Sequence, residues 1–231
     1  MNIAHICGRT LQLELNGVEV ACDPAGILVV PSERTLVVSD LHLEKGAAFA
    51  RRGMFLPPYD TAMTLATLSQ AIERHTPDRV ICLGDSFHDR RGADLMPAPL
   101  REHLSLMMTG REWIWISGNH DPERPSLGGE WTECFTMGAL SFRHEPRPDA
   151  PAGEIAGHLH PAARVASRGR SVRGPCFATD RRRMIMPAFG VTTGGLNVLH
   201  RAFDGLFTGE RPMAGVIGRD KVYPIPFSAL V

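Results

Sequence analysis

Five short blocks hold the residues of this 231-residue chain that could do chemistry: Asp40-x-His42, Gly84-Asp85, Gly118-Asn119-His120-Asp121, His144 and Gly157-His158-x-His160. Carboxylates and imidazoles are oxygen and nitrogen donors of the kind that hold divalent cations. In extended backbone His158 and His160 project to one side, so they can converge on one object, a metal ion or a phosphate. In order, the blocks supply Asp, His, Asp, Asn, His, His and His. Two ions about 3.5–4 Å apart need one bridging carboxylate and about three further ligands each, and seven side chains meet that count with Asp85 shared.

Such blocks must be delivered by strand ends. "RTLVVSDLH" is an apolar run that breaks into polar residues at Asp40 and His42, "DRVICLGD" ends in Asp85, and "REWIWISGNHD" ends in Asn119, His120 and Asp121. Between them, "TAMTLATLSQAIERH" carries apolar residues at 62, 65, 68 and 72, with Asp60 placed to cap, and helical spacing returns in "PLREHLSLMM". Strands alternating with helices, each strand discharging polar residues at its C-terminal end, predict an α/β protein with its site along one sheet edge. Upstream, "TLQLELNGVEVA" alternates about Asn16-Gly17 and reads as a hairpin. Past residue 130, "CFTMGALSFRH", "GEIAGHLHP", "RMIMPAFG" and "LNVLHRAF" predict a second, largely antiparallel sheet packed on the first.

Composition excludes several classes. With 43% hydrophobic residues, 22% charged residues and a formal net charge of zero, the chain reads as an ordinary globular protein rather than a disordered or generally basic one. No stretch approaches a membrane span and the first residues have no signal-peptide pattern, so a cytoplasmic location is expected. Its length suits a single domain over residues 1–231, with the blocks within 40–160 and a C-terminal sheet beyond. Five scattered cysteines without C-x-x-C pairing are expected to be small core residues.

The ordered set resembles the calcineurin-like metallophosphoesterase superfamily, whose pattern is D-x-H, G-D, G-N-H-[DE], a later H and G-H-x-H. His144 is the only histidine between Asp121 and His158. The resemblance implies a four-layer α-β-β-α sandwich, two mixed sheets face to face with helices outside and a dinuclear metal site at the strand C-terminal edge. It implies one metal on Asp40, His42, Asp85 and His160, and a second on Asp85, Asn119, His144 and His158. Manganese is the first expectation, with iron and zinc also suited to such ligands. Hydroxide from a bridging water would attack phosphorus. His120 would protonate the leaving group, and Asp121 would orient its ring and favour the protonated form.

A narrower likeness is carried by "SDLHLEKG", "LPPYDT", "LGDSFHD", "SGNHDP", "GHLHP" and "MPAFG". These resemble the bacterial ligase-associated DNA-damage-response phosphoesterases, encoded beside an ATP-dependent DNA ligase and a helicase. That implies a manganese-dependent nuclease or phosphodiesterase processing DNA or RNA ends. In "GDSFHDRRG", His88 could bond a ligand, the substrate or only its own turn, and Arg90 and Arg91 could hold a substrate phosphate. Seven arginines against one acid between Arg164 and Arg183 suit a nucleic-acid backbone, or equally a hairpin whose basic edges discourage pairing. A phosphatase for nucleotides or small phosphoesters would use the same ligands, and a non-catalytic scaffold of a repair complex would keep the fold.

Overall fold

A computed structural model describes residues 4–51, 53–54, 59–122, 124, 126–167, 169–209 and 211–231. Leu56, Pro57 and Pro58 of "LPPYDT" and Arg168 of the arginine-rich stretch lie outside the described residues. The first sheet begins with an antiparallel meander of β1 (His5–Cys7), β2 (Thr10–Leu15), β3 (Val18–Asp23), β4 (Ile27–Val30) and β5 (Thr35–Val38). The Asn16-Gly17 turn is made as expected: both residues take positive φ, 47° and 81°, which matches the twist of a tight hairpin. From β5 the sheet continues in parallel through β6 (Arg79–Cys82), β7 (Glu112–Ile116) and β8 (Glu130–Thr132). The crossovers carry α1 (Lys45–Arg51), α2 (Asp60–His75), α3 (Gly92–Leu95) and α4 (Ala98–Met108).

The second sheet is built from β9 (Cys134–Met137), β10 (Leu140–Arg143), β11 (Glu154–Ala156), β12 (Pro161–Ser167), β13 (Arg170–Thr179), β14 (Arg183–Ile185), β15 (Leu196–Asn197), β16 (Met213–Ile217) and β17 (Val222–Pro226). It is mixed: β10, β11 and β14 run parallel at its centre, while β9–β10, β12–β13 and β16–β17 are antiparallel pairs. The parallel centre matters for function. It brings the C-terminal ends of β10 and β11 to the edge already formed by β5, β6 and β7.

Three apolar layers fix this arrangement. Leu13, Val20, Ile114, Phe142, Phe177 and Met184 interdigitate between the sheets. Leu65, Leu68 and Leu104 pack α2 and α4 onto Leu36, Val80 and Trp113. On the outer face of the second sheet Phe203, Leu206 and Leu230 cover Ala163, Cys176 and Ala214. That cover is made of 3-10 turns, Arg201–Phe203 and Phe227–Ala229, whereas α-helices cover the first sheet. At about 1.5–3 kcal/mol per fully buried large side chain, these layers are the dominant favourable term.

Three local readings are corrected. The buried face of α2 is Thr61, Thr64, Leu65, Leu68, Ala71 and Ile72, so Ala62 stands in solvent. Asp60 does not cap its own helix. Its Oδ2 accepts the amide of Gly46 at 2.8 Å and Thr61 Oγ1 accepts that of Glu44 at 2.7 Å, so the start of α2 satisfies the orphan amides of α1. Of the cysteines, Cys22, Cys82 and Cys176 are buried with thiol pKa values pushed up by desolvation, but Cys7 and Cys134 are exposed. Among the described residues no helix is long and apolar enough to cross a membrane.

Candidate metal centre

The donors are presented by backbone that leaves regular structure immediately after its strand. Past β5, Asp40, His42 and Glu44 take φ values of 53°, 45° and 63°, while Leu41 and Leu43 between them are buried in the helix-side core. Left-handed backbone costs a non-glycine residue about 1–2 kcal/mol, and burying each leucine returns about 1.5–3. The alternation therefore holds, with the leucines turned inward and Asp40 and His42 turned to the edge. His158 and His160 repeat the device at 67° and 44°, with Leu159 N donating to Gly157 O at 2.8 Å. The extended backbone expected for "GHLH" is thus replaced by a tight turn. Its two histidines still reach the same edge, because both lie in the left-handed region.

Seven donors from five strand ends meet there. Asp40, His42 and His160 form one group and Asp85, His144 and His158 a second, each with donor atoms within 4.8 Å of one another. In the first, His160 Nε2 lies 3.1 Å from Asp40 Oδ1. In the second, His144 Nε2 lies 3.4 Å from Asp85 Oδ2, 2.9 Å from Asn119 Oδ1 and 3.1 Å from His158 Nδ1. Asn119 Oδ1 and His158 Nδ1 are 3.0 Å apart. The groups adjoin, His144 Nδ1 being 3.9 Å from Asp40 Oδ1.

These spacings fit cations. Donors held at about 2.0–2.2 Å from an ion stand about 3.0–3.4 Å from one another. Asp40 Oδ1, His42 Nδ1 and His160 Nε2 are buried without a hydrogen-bond partner, a cost of about 1–3 kcal/mol each that a bound cation removes. The other atoms of the set are already engaged. Asp40 Oδ2 accepts Ser39 Oγ and the His158 amide, and Asp85 Oδ1 accepts the His120 amide at 2.9 Å, so each carboxylate turns its second oxygen to the cluster. His144 Nδ1 donates to Leu83 O at 2.8 Å, which fixes the tautomer with Nε2 available. Ser39 and the Leu83 carbonyl were not legible as site groups from their residue types.

Protonation follows burial and charge. Burial lowers His42 to about 4, against the pull of Asp40 and Asp85, and lowers His158 with help from His144. Burial also opposes charge on His144, but the bond to Asp85 and the charges of Asp40 and Asp85 outweigh it and raise its pKa to about 9. Asp85 and Asp40 are correspondingly held below the ordinary carboxylate range despite burial, Asp85 by His144, Asp40 by His160 and His144.

Two motif glycines are seats for these ligands. A Cβ at Gly118 would meet Asp85 N and Oδ1 at 2.2 Å, and one at Gly157 would meet Ser39 Oγ at 1.9 Å and Asp40 Oδ2 at 2.7 Å. "MPAFG" braces the same loop: Phe189 N and Gly190 N donate to Ser39 O and Asp40 O at 2.8 and 3.1 Å.

Around the donors the sequence expectations divide. His120 stands at the edge, its side chain 42% exposed and its Nε2 3.9 Å from Asp85 Oδ2. Asp121 does not touch that ring. Its buried carboxylate accepts Ser86 N at 2.7 Å, Phe87 N at 3.1 Å and Gly118 N at 3.1 Å, and desolvation raises its pKa to about 7. Instead His120 Nδ1 donates to the His88 carbonyl at 3.1 Å, and the His88 ring stacks on that of His120 with centroids 5.3 Å apart. His88 also meets His42 edge-on at 5.6 Å. Arg90 and Arg91 go elsewhere: Arg90 lines a cavity of about 180 Å³ with Phe87, Asp94, Asp121 and Arg124, which contains none of the seven donors. Arg91 is exposed at the start of α3, its amide on Asp89 Oδ1.

Two clefts flank the donors. One of about 350 Å³ runs from His160 past Arg173 and Gly190, and one of about 310 Å³ opens beside Asn119, His144 and Arg147.

Comparisons agree with this geometry. The model of the calcineurin-like phosphoesterase family matches residues 33–180. The crystal structure of Pseudomonas putida nuclease MPE is similar at 30% identity and a TM-score of 0.71, over 94% of this chain and 100% of that one. Yfce, a phosphoesterase from E. coli, aligns over 83% of this chain and 97% of its own at 14% identity and a TM-score of 0.42. No curated protein matches. A family match over well more than half of the chain, covering all five donor blocks, means that the protein belongs to the calcineurin-like phosphoesterase family.

Proposed function

We propose that the protein is a two-metal phosphodiesterase that cleaves nucleic acid, processing DNA or RNA ends. One ion would sit on Asp40, His42, Asp85 and His160 and the other on Asp85, Asn119, His144 and His158, manganese being the first choice. When bound, two such cations lower the pKa of a shared water and neutralise phosphate oxygens during in-line displacement. The chain's own residues do the rest. With Nδ1 committed to the His88 carbonyl, His120 has Nε2 alone to hold a proton and deliver it to a leaving oxygen. Stacking on His88 keeps that ring in place. Asp121 is a positioning residue, fixing the Ser86–Phe87 and Gly118 backbone around Asp85.

The observation that carries this reading is the convergence of two adjoining donor groups, Asp40 with His42 and His160 and Asp85 with His144 and His158, on one open edge. Clefts on both sides of it suit a phosphate with a substituent on each side, a diester. The similar Pseudomonas protein is a nuclease, which favours a polynucleotide. On the narrower sequence likeness we place the work in DNA repair, in the cytoplasm, beside an ATP-dependent ligase and a helicase; the neighbouring genes test that directly. The activity is tested with manganese on bis-p-nitrophenyl phosphate, a mononucleotide, single- and double-stranded DNA, and RNA with a 2′,3′-cyclic end. Diester and polynucleotide cleavage is expected, and hydrolysis of monoesters alone overturns the reading in favour of a phosphatase.

A further inference from the structure

We propose that the β12–β13 ribbon, residues 161–175, is a docking surface for the phosphate backbone of a nucleic acid, with Arg164 and Arg173 as paired phosphate contacts beside the metal centre. This rests on the phosphodiesterase reading for its substrate class. The register carries the argument. Arg164 pairs directly with Arg173, and Ala162 with Pro175, two residues nearer the donors on the same face. Ala162, Pro175 and Arg173 line the cleft that begins at His160, and Arg164, exposed and directly opposite Arg173, stands on the same face of the ribbon just beyond that lining. The opposite face, Ala163 and Val165, packs into the outer core.

Like charges set directly opposite in an antiparallel pair repel, their Cβ atoms about 4.5–5.5 Å apart. Nothing in the ribbon neutralises them. Its sequence has four arginines and no acid, on a chain of zero net charge. Among the described residues no ion pair engages Arg164, Arg170 or Arg173; the Arg173 guanidinium donates to the Gly195 carbonyl. Two guanidinium forks on one face, unpaired with carboxylate, are a site for an anion with several oxygens. Four residues past His160, Arg164 lies within about 13 Å of it, a reach of a few nucleotides.

Position separates these arginines from the rest of the stretch. Arg183 is buried and paired with Glu154 at 3.3 Å, and Arg181 and Arg182 lie beyond the far end of β13, about 25 Å along the strand from Arg173. Phe189, the aromatic residue lining the cleft, is 7% exposed and belongs to the helix-side core. The surface therefore grips backbone without stacking on bases, and binding is independent of sequence.

The test is fluorescence anisotropy of the full chain with a labelled single-stranded oligonucleotide and its duplex, in chelator, over a series of potassium chloride concentrations. Chelator removes hydrolysis, so failure of the phosphodiesterase reading, seen as no manganese-dependent cleavage of a small diester, is distinguishable from failure of the ribbon. Arg164→Ala is expected to flatten the dependence of log affinity on log salt by about 0.7 on single strands or 0.9 on duplex. Adding Arg173→Ala doubles the change. Arg181→Ala with Arg182→Ala removes the same charge at the distant end and is expected to leave the slope as it was. An unchanged slope in Arg164→Ala, or equal flattening in the two double variants, overturns the proposal.

Discussion

His144 Nε2 stands 3.4 Å from Asp85 Oδ2, and the pair holds a proton that a metal ion must displace. With the His144 pKa raised to about 9, the ring carries that proton at neutral pH in metal-free protein. Uptake of metal at pH 7 is expected to release one proton from this site, with affinity climbing as pH rises and levelling above about 9. Calorimetry in buffers of different ionisation enthalpy measures the release. In metal-free protein the same pair stabilises fully below pH 6.5, and that contribution is lost as pH rises through about 9.

Asp121 acts through backbone and not through the His120 ring. Asp121→Asn leaves one of three amide partners facing an NH₂ group and is expected to cost about 1–3 kcal/mol in thermal or urea unfolding. The turnover number should fall, while the pH-rate limb belonging to His120 stays where it was. Movement of that limb would return Asp121 to the role first read from its place in "GNHD". The pKa of Asp121, raised to about 7 by burial, means that its stabilising share is complete below its ordinary pKa and lost as pH rises through 7. Asp121→Asn should remove that pH dependence.

Gly157→Ala pushes a methyl group into Ser39 and Asp40. We expect a loss of about 1–3 kcal/mol and weakened metal binding at the Asp40, His42 and His160 group. Gly194→Ala meets no atom within 4 Å and serves as the control. Equal metal affinity in both would remove Gly157 as the seat of Asp40.

Outside the donor set, Asp23 ties β3 to the end of α2: its buried carboxylate meets Arg74 at 3.0 Å, His75 at 3.1 Å and the Ala25 amide at 2.8 Å. Burial opposes its ionisation, but His75, Ala25 and Arg74 hold its pKa below the ordinary value. Its stabilisation is therefore present above that ordinary value and lost as pH falls through the lower, folded one. Asp23→Asn is expected to destabilise by about 1–3 kcal/mol, Arg74 being half exposed, with turnover per folded molecule unchanged. A neutral Asp23→Asn in unfolding experiments would contradict this.

The donors were legible because each block joins a strand-end break to ligand residues, and the strands that carry them are short apolar runs with clear ends. The geometry that presents them was not. Left-handed backbone at Asp40, His42, His158 and His160 leaves no mark in residue type, since none is glycine. Asp60 and Asp121 bond amides of segments distant in sequence, Gly46 in one case and Ser86 with Phe87 in the other, so neither the cap read for Asp60 nor the contact with the His120 ring expected of Asp121 is made. The arginine-rich stretch read as one basic face because sequence density cannot show that β13 runs from Arg173 away to the end where β14 begins at Arg183, which is buried against Glu154.

The central claim is that the two donor groups run phosphodiester hydrolysis with Asp85 shared and His120 delivering the proton. It is tested most directly by the rate of manganese-supported hydrolysis of bis-p-nitrophenyl phosphate by the parent, Asp85→Asn and His120→Ala proteins. The account predicts a clear rate for the parent and losses of about 10²-fold or more in both variants. Variants that cleave the diester as fast as the parent would contradict it.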